Sequence, residues 1–201
     1  MIFRSILAVI SGVLIASSPV AAKSKEPVAA PAPALPTVVD PDPAHVPEDV
    51  LWLDLSNGGR VAIRLMPAWA PNHVERIKTL TGQGFYNGVV FHRVIEGFMA
   101  QTGDPTGTGA GGSQLPDLKA EFSDAKFLRG TVGIAREPHN INSGNSQFFI
   151  CFSAAEWLNG EYTIVGEIVD GMEFVDKIAR GEPPANPDRI VKMQVAADAA
   201  K

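Results

Sequence analysis

A single cysteine among 201 residues, Cys151, has no internal disulfide partner, so the fold must hold by its core in any redox compartment. Placed after a run of strand-like apolar residues, Cys151 reads as a buried small hydrophobe and not as a reactive thiol. Basic clusters are also missing, and 17 Lys and Arg against 22 Asp and Glu give a net charge of −5. Phosphate binding draws its affinity from such clusters, so no nucleic-acid partner is expected. His45, His73 and His139 lack zinc-ligand spacing, and neither a metal nor a cofactor is expected. Internal repeats are absent. What is present is 45% hydrophobic residues, enough for one packed domain with tails.

The N-terminus carries Arg4, an apolar run over residues 6–16 and the small-residue stretch Ser17-Ser18-Pro19-Val20-Ala21-Ala22. These are the three regions of a signal peptide, with cleavage expected after Ala22. An uncleaved anchor is the alternative, but the run is well short of the roughly 20 residues a spanning helix needs. Export follows, to a bacterial periplasm in the first instance or along a eukaryotic secretory route, with no stable membrane insertion after cleavage. Residues 23–47, rich in Pro, Ala and Val, read as a flexible tether because proline fixes φ and removes donors. Residues 48–201 read as the functional domain.

In that domain short apolar stretches are punctuated by glycine. Residues 51–55 and 61–65 flank Asn57-Gly58-Gly59, the pattern of a hairpin, and further β-rich runs fall at 89–94, 131–135, 147–152, 162–169 and 190–195. Their spacing suits a closed or nearly closed all-β domain. Two helices interrupt it. The first starts near Pro71, buries Val74, Ile77 and Leu80, and stops at Gly82. The second is expected to be capped by Asp170 with Glu173 three residues on, to bury Met172, Val175, Ile178 and Ala179, and to end at Gly181.

The densest chemistry lies in Phe91-His92-Arg93-Val94-Ile95-Glu96-Gly97-Phe98-Met99-Ala100-Gln101-Thr102-Gly103-Asp104 and in Asn145-Ser146-Gln147-Phe148-Phe149-Ile150 followed by Glu156-Trp157-Leu158-Asn159-Gly160. Alternation puts Phe148 and Phe149 on opposite faces of a strand, so only one of them lines a pocket. Taken alone, Arg93 reads as a surface ion-pair partner of Glu96 or Asp104. Gly107-Thr108-Gly109-Ala110-Gly111-Gly112 matches a dinucleotide-binding pattern, but no strand leads into it and Pro116 stands where a helix should run.

Phe-His-Arg-x-Ile-x-Gly-Phe-Met-x-Gln, the Gly-Asp-Pro-Thr-Gly-Thr-Gly loop, Ser-Gln-Phe-Phe-Ile and Trp-Leu-Asn-Gly occur in the order found in cyclophilins, and the chain resembles that family from about Trp52 to about Val195. The resemblance implies a mainly β fold, a closed eight-stranded antiparallel β-barrel capped by two α-helices. It implies a peptidyl-prolyl cis-trans isomerase with Arg93, Gln101 and His92 as the catalytic group. A proline pocket falls on Phe98, Met99, Phe149 and Leu158. Trp157 falls on its rim, which also favours cyclosporin-type inhibitors, and Gln147 and Tyr162 complete the surroundings. Ala135 and Arg136 fall on the strand whose backbone pairs with the peptide, so the Arg side chain is expected to matter little. Glu96, Thr102 and Tyr162 depart from common family residues, and residues 137–145, with Pro138 and His139 among them, form a slightly longer segment than in animal relatives. These departures are expected to alter pocket rims more than the floor. The implied partners are proline-containing polypeptides, unfolded or folding exported proteins among them, met by a monomer.

Those residue types suit the reaction. Resonance raises the barrier to rotation of the amide to about 18–20 kcal/mol. No covalent bond breaks, so a catalyst need only stabilise the twisted amide, whose nitrogen regains its lone pair. A permanently charged guanidinium can donate to that nitrogen, and an apolar pocket disfavours the charge-separated planar form. An acceleration of about 10⁶ requires on the order of 8 kcal/mol, shared among arginine, desolvation and positioning. The reaction has no obligatory proton transfer, so His92 is expected to orient or pack. Two other readings stand beside this one. A binding module on the same fold would act as a chaperone with little turnover, and an unrelated β-barrel binder would need an apolar lumen.

Overall fold

The computed structural model describes residues 35, 36 and 38–199, so the expected signal segment 1–22 and residues 23–34 and 37 of the expected tether lie outside the described residues. Eight antiparallel strands form one curled sheet: β1 (Val50–Leu55), β2 (Arg60–Leu65), β3 (Arg93–Ile95), β4 (Met99–Thr102), β5 (Thr131–Ile134), β6 (Phe148–Cys151), β7 (Ile164–Asp170) and β8 (Ile190–Val195), in the order β3-β4-β6-β5-β7-β2-β1-β8. The expected hairpin is β1 and β2. Gly58 takes the positive φ, while the Asn57 side chain donates to Phe174 O. Strand β4 escaped the sequence reading, because its four residues are mixed in character and sit between Gly97 and Gly103.

The closed barrel is corrected to an open curled sheet. β3 and β8, at the two ends of the order, share no ladder among the described residues, and the seam between them is crossed by the isolated bridges Val90↔Arg189 and Val94↔Gly181. The physical reason lies on both sides. β3 is three residues long, and the segment facing it carries Pro183, Pro184 and Pro187, which have no N–H to give a ladder.

Helix α1 (Pro71–Gly82) places Pro71 in its first turn and buries Val74, Ile77 and Leu80 as expected. It has no side-chain cap of its own. Instead Glu121, from the long connection before β5, accepts the N–H groups of Asn72 at 3.1 Å and His73 at 3.0 Å, a carboxylate at a helix N-terminus. Helix α2 (Met172–Val175) is much shorter than the run to Gly181 expected for it, and Gly171, not Asp170, is its N-cap. Asp170 is still the last residue of β7, so it cannot also start the helix. Of the expected apolar stripe Val175 and Ile178 are nevertheless buried, whereas Met172 and Ala179 are only partly so.

Two apolar clusters lie on opposite faces of the sheet. The larger takes Leu51, Leu53, Ile63, Leu65, Val132, Ile134, Phe148, Ile150 and Val165 with the α1 stripe, and draws on all eight strands, which makes it the enclosed face. The space among Leu51, Ile63, Ile77, Phe148 and Met193 is too small for a water molecule, which excludes the lumen-binding reading. The smaller cluster takes Met99, Phe149, Cys151, Ile164, Phe127 and Leu158 on the outer face. β5 and β6 are therefore buried on both sides and read as continuous apolar runs. Also on the outside, buried Arg64 donates to the carbonyls of Asp40, Asp42, His45 and Val46, and Trp69 Nε1 donates to Pro36 O at 2.6 Å, tying Pro36 and residues 40–46 to β2 and its flank.

Candidate active site

Strand register builds the site. Arg93 pairs with Gln101 across β3 and β4, Gln101 with Phe149 across β4 and β6, and Phe149 with Gly133 across β6 and β5. Directly opposed residues share a face, so these four form a row. The row ends on a glycine for a steric reason: a Cβ at Gly133 would stand 2.6 Å from the Phe149 ring and 2.7 Å from that of Phe127. The missing side chain lets Phe149 lie over the strand, stacked on Phe127 at 5.7 Å and edge-on to Tyr162 at 5.9 Å.

Above this row lies an open cavity of about 590 Å³. It brings together Arg93, Gln101, Phe98, Met99, Phe149 and Leu158, with Trp157, Ala135, Arg136 and Tyr162 around them. Trp157 is 66% exposed and meets Phe98 at 5.5 Å between ring centroids. Arg136 lies over the Tyr162 ring at 4.4 Å and donates to Glu161 O at 3.1 Å. Its side chain is thus a wall of the cavity, and Ala135 and Arg136, expected on the strand, lie just beyond the end of β5. Pro138 and Glu161 also line the cavity. Pro138 belongs to the longer segment expected to alter the rim, whereas no local pattern announces Glu161, which belongs to a connection.

Arg93 is held on two sides. Its Nε donates to Glu182 Oε2 at 2.7 Å and its Nη1 to Gln101 Oε1 at 3.5 Å. Gln101 Nε2 donates to Gln147 Oε1 at 2.8 Å, and Gln147 Nε2 to the carbonyls of Gly109 and Gly111. Neither partner anticipated for Arg93 is used: Glu96 pairs with Arg180 at 2.8 Å, and Asp104 is turned into its own loop. Gln147 lines a second cavity of about 430 Å³, which shares Gln101, Ala135, Arg136 and Pro138 with the first.

The glycine-rich loop is spent on a carboxylate. Asp104 is fully buried and accepts the N–H groups of Thr106, Thr108, Gly109 and Gly111; burial raises its pKa, but the Thr106 hydroxyl and the N–H groups of Thr106, Gly111 and Gly109 outweigh that and bring it down to about 2. The amides a phosphate would need are already occupied. His92 is buried beside this loop and lines neither cavity. Burial holds its pKa below the ordinary imidazole value, opposed by the Asp104 charge, helped by Arg93 and opposed again by Gln147. Of Glu96, Thr102 and Tyr162, only Tyr162 lines the cavity. Thr102 is buried with its hydroxyl donating to Val90 O, and Glu96 faces Arg180, so the expectation of altered rims is corrected for these two. Cys151 is buried and its thiol pKa is pushed up to about 12, as its apolar surroundings require.

Comparison with known proteins agrees with this geometry. Residues 52–195 match the family model described as cyclophilin type peptidyl-prolyl cis-trans isomerase/CLD. A probable peptidyl-prolyl cis-trans isomerase of Brucella suis is 51% identical over 168 residues, covering 76% of this chain and 85% of its own. A peptidyl-prolyl cis-trans isomerase of Helicobacter pylori is 40% identical over 130 residues, covering 63% and 78%. The cyclophilin AquaCyp293 from Hirschia baltica superposes with a TM-score of 0.70 at 27% identity, covering 76% of this chain and 75% of its own. A Cryptosporidium parvum cyclophilin type isomerase, crystallised in the presence of the dipeptide Ala-Pro, gives 0.67 at 28% identity over 73% and 98%. The matched span contains the whole Arg93–Gln101–Phe149 row, and the chain belongs to the cyclophilin-type peptidyl-prolyl cis-trans isomerases.

Proposed function

We propose that this isomerase acts through Arg93 on proline-containing segments of exported proteins while they fold. The observation that carries the mechanism is the cross-strand row, which sets a guanidinium beside an amide side chain and an aromatic floor at one open cavity. The proline ring rests against Phe149, Met99, Phe98 and Leu158, and Gln101 keeps Arg93 in reach. As the bond twists, the proline nitrogen recovers its lone pair and accepts from Arg93, an interaction absent in the planar ground state. His92, buried and unlined by either cavity, packs the Gly-rich loop. Trp157 offers the exposed ring on which a cyclosporin-type inhibitor would dock. The enzyme works as a monomer in the periplasm after cleavage behind Ala22, a reading that rests on the leader-like residues 1–22.

The test is cis-to-trans conversion of a short Ala-Pro peptide by the mature protein and by Arg93→Ala. We expect kcat/KM to fall about 100-fold or more with an unchanged unfolding curve. Absence of turnover in the unmutated protein would replace this reading by the binding module. Cell fractionation with N-terminal sequencing checks export, a mature chain beginning at Lys23 being the expected result.

A further inference from the structure

The seam that the sheet leaves open passes directly beside Arg93. There, Val94 N–H donates to Gly181 O at 2.8 Å and Gly181 N–H to Val94 O at 2.9 Å, a single antiparallel bridge. In an antiparallel pair the residues flanking a bridge also oppose each other, so Glu182 is set against Arg93. Its carboxylate accepts the Arg93 Nε–H at 2.7 Å, the shorter of the two contacts that hold the guanidinium. On the other side of the bridge Arg180 donates to Glu96 at 2.8 Å and lies over the Phe152 ring at 4.2 Å. The charges therefore alternate across the seam, and a slipped register would bring Arg180 towards Arg93.

Backbone geometry keeps Glu182 in place. Gly181 has φ 147°, and a Cβ there would stand 2.5 Å from Pro184 Cα and 2.8 Å from Pro183 O, so the bridge residue has to be glycine. Glu182 is held between that bridge and Pro183. Gln101 reaches Arg93 only at 3.5 Å, which by itself fixes a long side chain weakly.

We propose that Glu182 is a positioning residue for Arg93: by taking the Nε–H it fixes the plane of the guanidinium and leaves the Nη edge for the twisted amide. The proposal rests on the reading of Arg93 given above. Because the pair is half exposed, 42% and 52% for the two side chains, it contributes little to stability. Its effect is on orientation, which acts on the chemical step and not on binding.

The experiment measures kcat and KM for an Ala-Pro peptide with the wild-type protein, Glu182→Gln, Glu182→Ala, Glu182→Asp, Arg93→Ala and the double variant Arg93→Ala/Glu182→Ala, at low and high salt, with Tm for each. Loss of the carboxylate is expected to lower kcat about tenfold with KM changed less than about twofold. Tm should stay within about 2 °C of wild type. Glu182→Asp should keep more activity than Glu182→Ala, salt should lower wild-type kcat but not that of Glu182→Gln, and removing Glu182 should cost nothing once Arg93 is gone. Full kcat in Glu182→Ala, or an equal loss in the Arg93→Ala background, overturns the proposal while leaving Arg93 intact. Full activity in Arg93→Ala overturns the reading beneath it.

Discussion

Phe148 and Phe149 are adjacent in β6, equally buried to the eye, and do different work. Phe148 points into the enclosed core, edge-on to Tyr86 at 5.6 Å, whereas Phe149 lies on the outer face as the floor of the open cavity. The strand's twofold alternation separates stability from function within one dipeptide. The lesson is that this sheet has two apolar faces, one sealed by the curl and by α1, the other left accessible to a ligand.

Substitutions on the two faces should separate accordingly. The largest effect expected is from Phe148→Ala, a loss of about 3–5 kcal/mol in denaturant unfolding, since it empties a sealed site. Phe149→Ala should cost only about 1–2 kcal/mol because its space opens to solvent, while kcat/KM falls about tenfold or more. Equal stability losses from the two would break the comparison. Next, Asp104→Ala should destabilise by about 2–3 kcal/mol by orphaning four loop N–H groups, and should lower kcat/KM because Gln147 is anchored on that loop.

Acid acts on the fold through four titratable groups that belong to neither apolar cluster. Burial holds His73 and His92 below the ordinary imidazole value of 6.5, and Glu121 and Asp104 are lowered by the hydrogen bonds they accept. In all four the unfolded chain binds protons more readily than the folded one. Stability is therefore complete above 6.5 and declines as pH falls, first through the histidines and then through Asp104 between 3.8 and about 2. Glu167, raised by burial, opposes this as a single group. Urea midpoints at pH 7, 5.5 and 4 should fall in that order. The smallest effect is that of Trp157→Ala: under about 1 kcal/mol in stability and a KM raised about two- to threefold, because the ring is exposed and touches the pocket at one edge.

Legibility followed locality. The β1–β2 hairpin, α1 and β8 carry their own signals in turn residues, threefold apolar spacing and β-rich composition, and each was readable within its own segment. α2 was not, because Gly171 and the end of β7 override a plausible capping pattern. Nor was the seam, where three prolines on one side defeat a ladder that strand spacing alone would allow. In the site, Arg93, Gln101 and Phe149 were legible through motif resemblance, but Glu182 stands 89 residues from its partner and has no local signal. The role of Asp104 was equally hidden, since a buried carboxylate feeding on its own loop looks in sequence like any other acidic turn residue.

By itself the sequence determined the alternation that assigns one phenylalanine to each face, the apolar stripe of α1, and the residue types suited to twisting an amide without breaking a bond. These are matters of local geometry and side-chain chemistry. Only the tertiary structure decided that the sheet stays open, that Arg136 is a cavity wall, and that Arg93 is gripped from across the seam. Those depend on which distant segments meet, and the free energy of such meetings is set by register, missing proline donors and close glycine packing that no short stretch of chain contains.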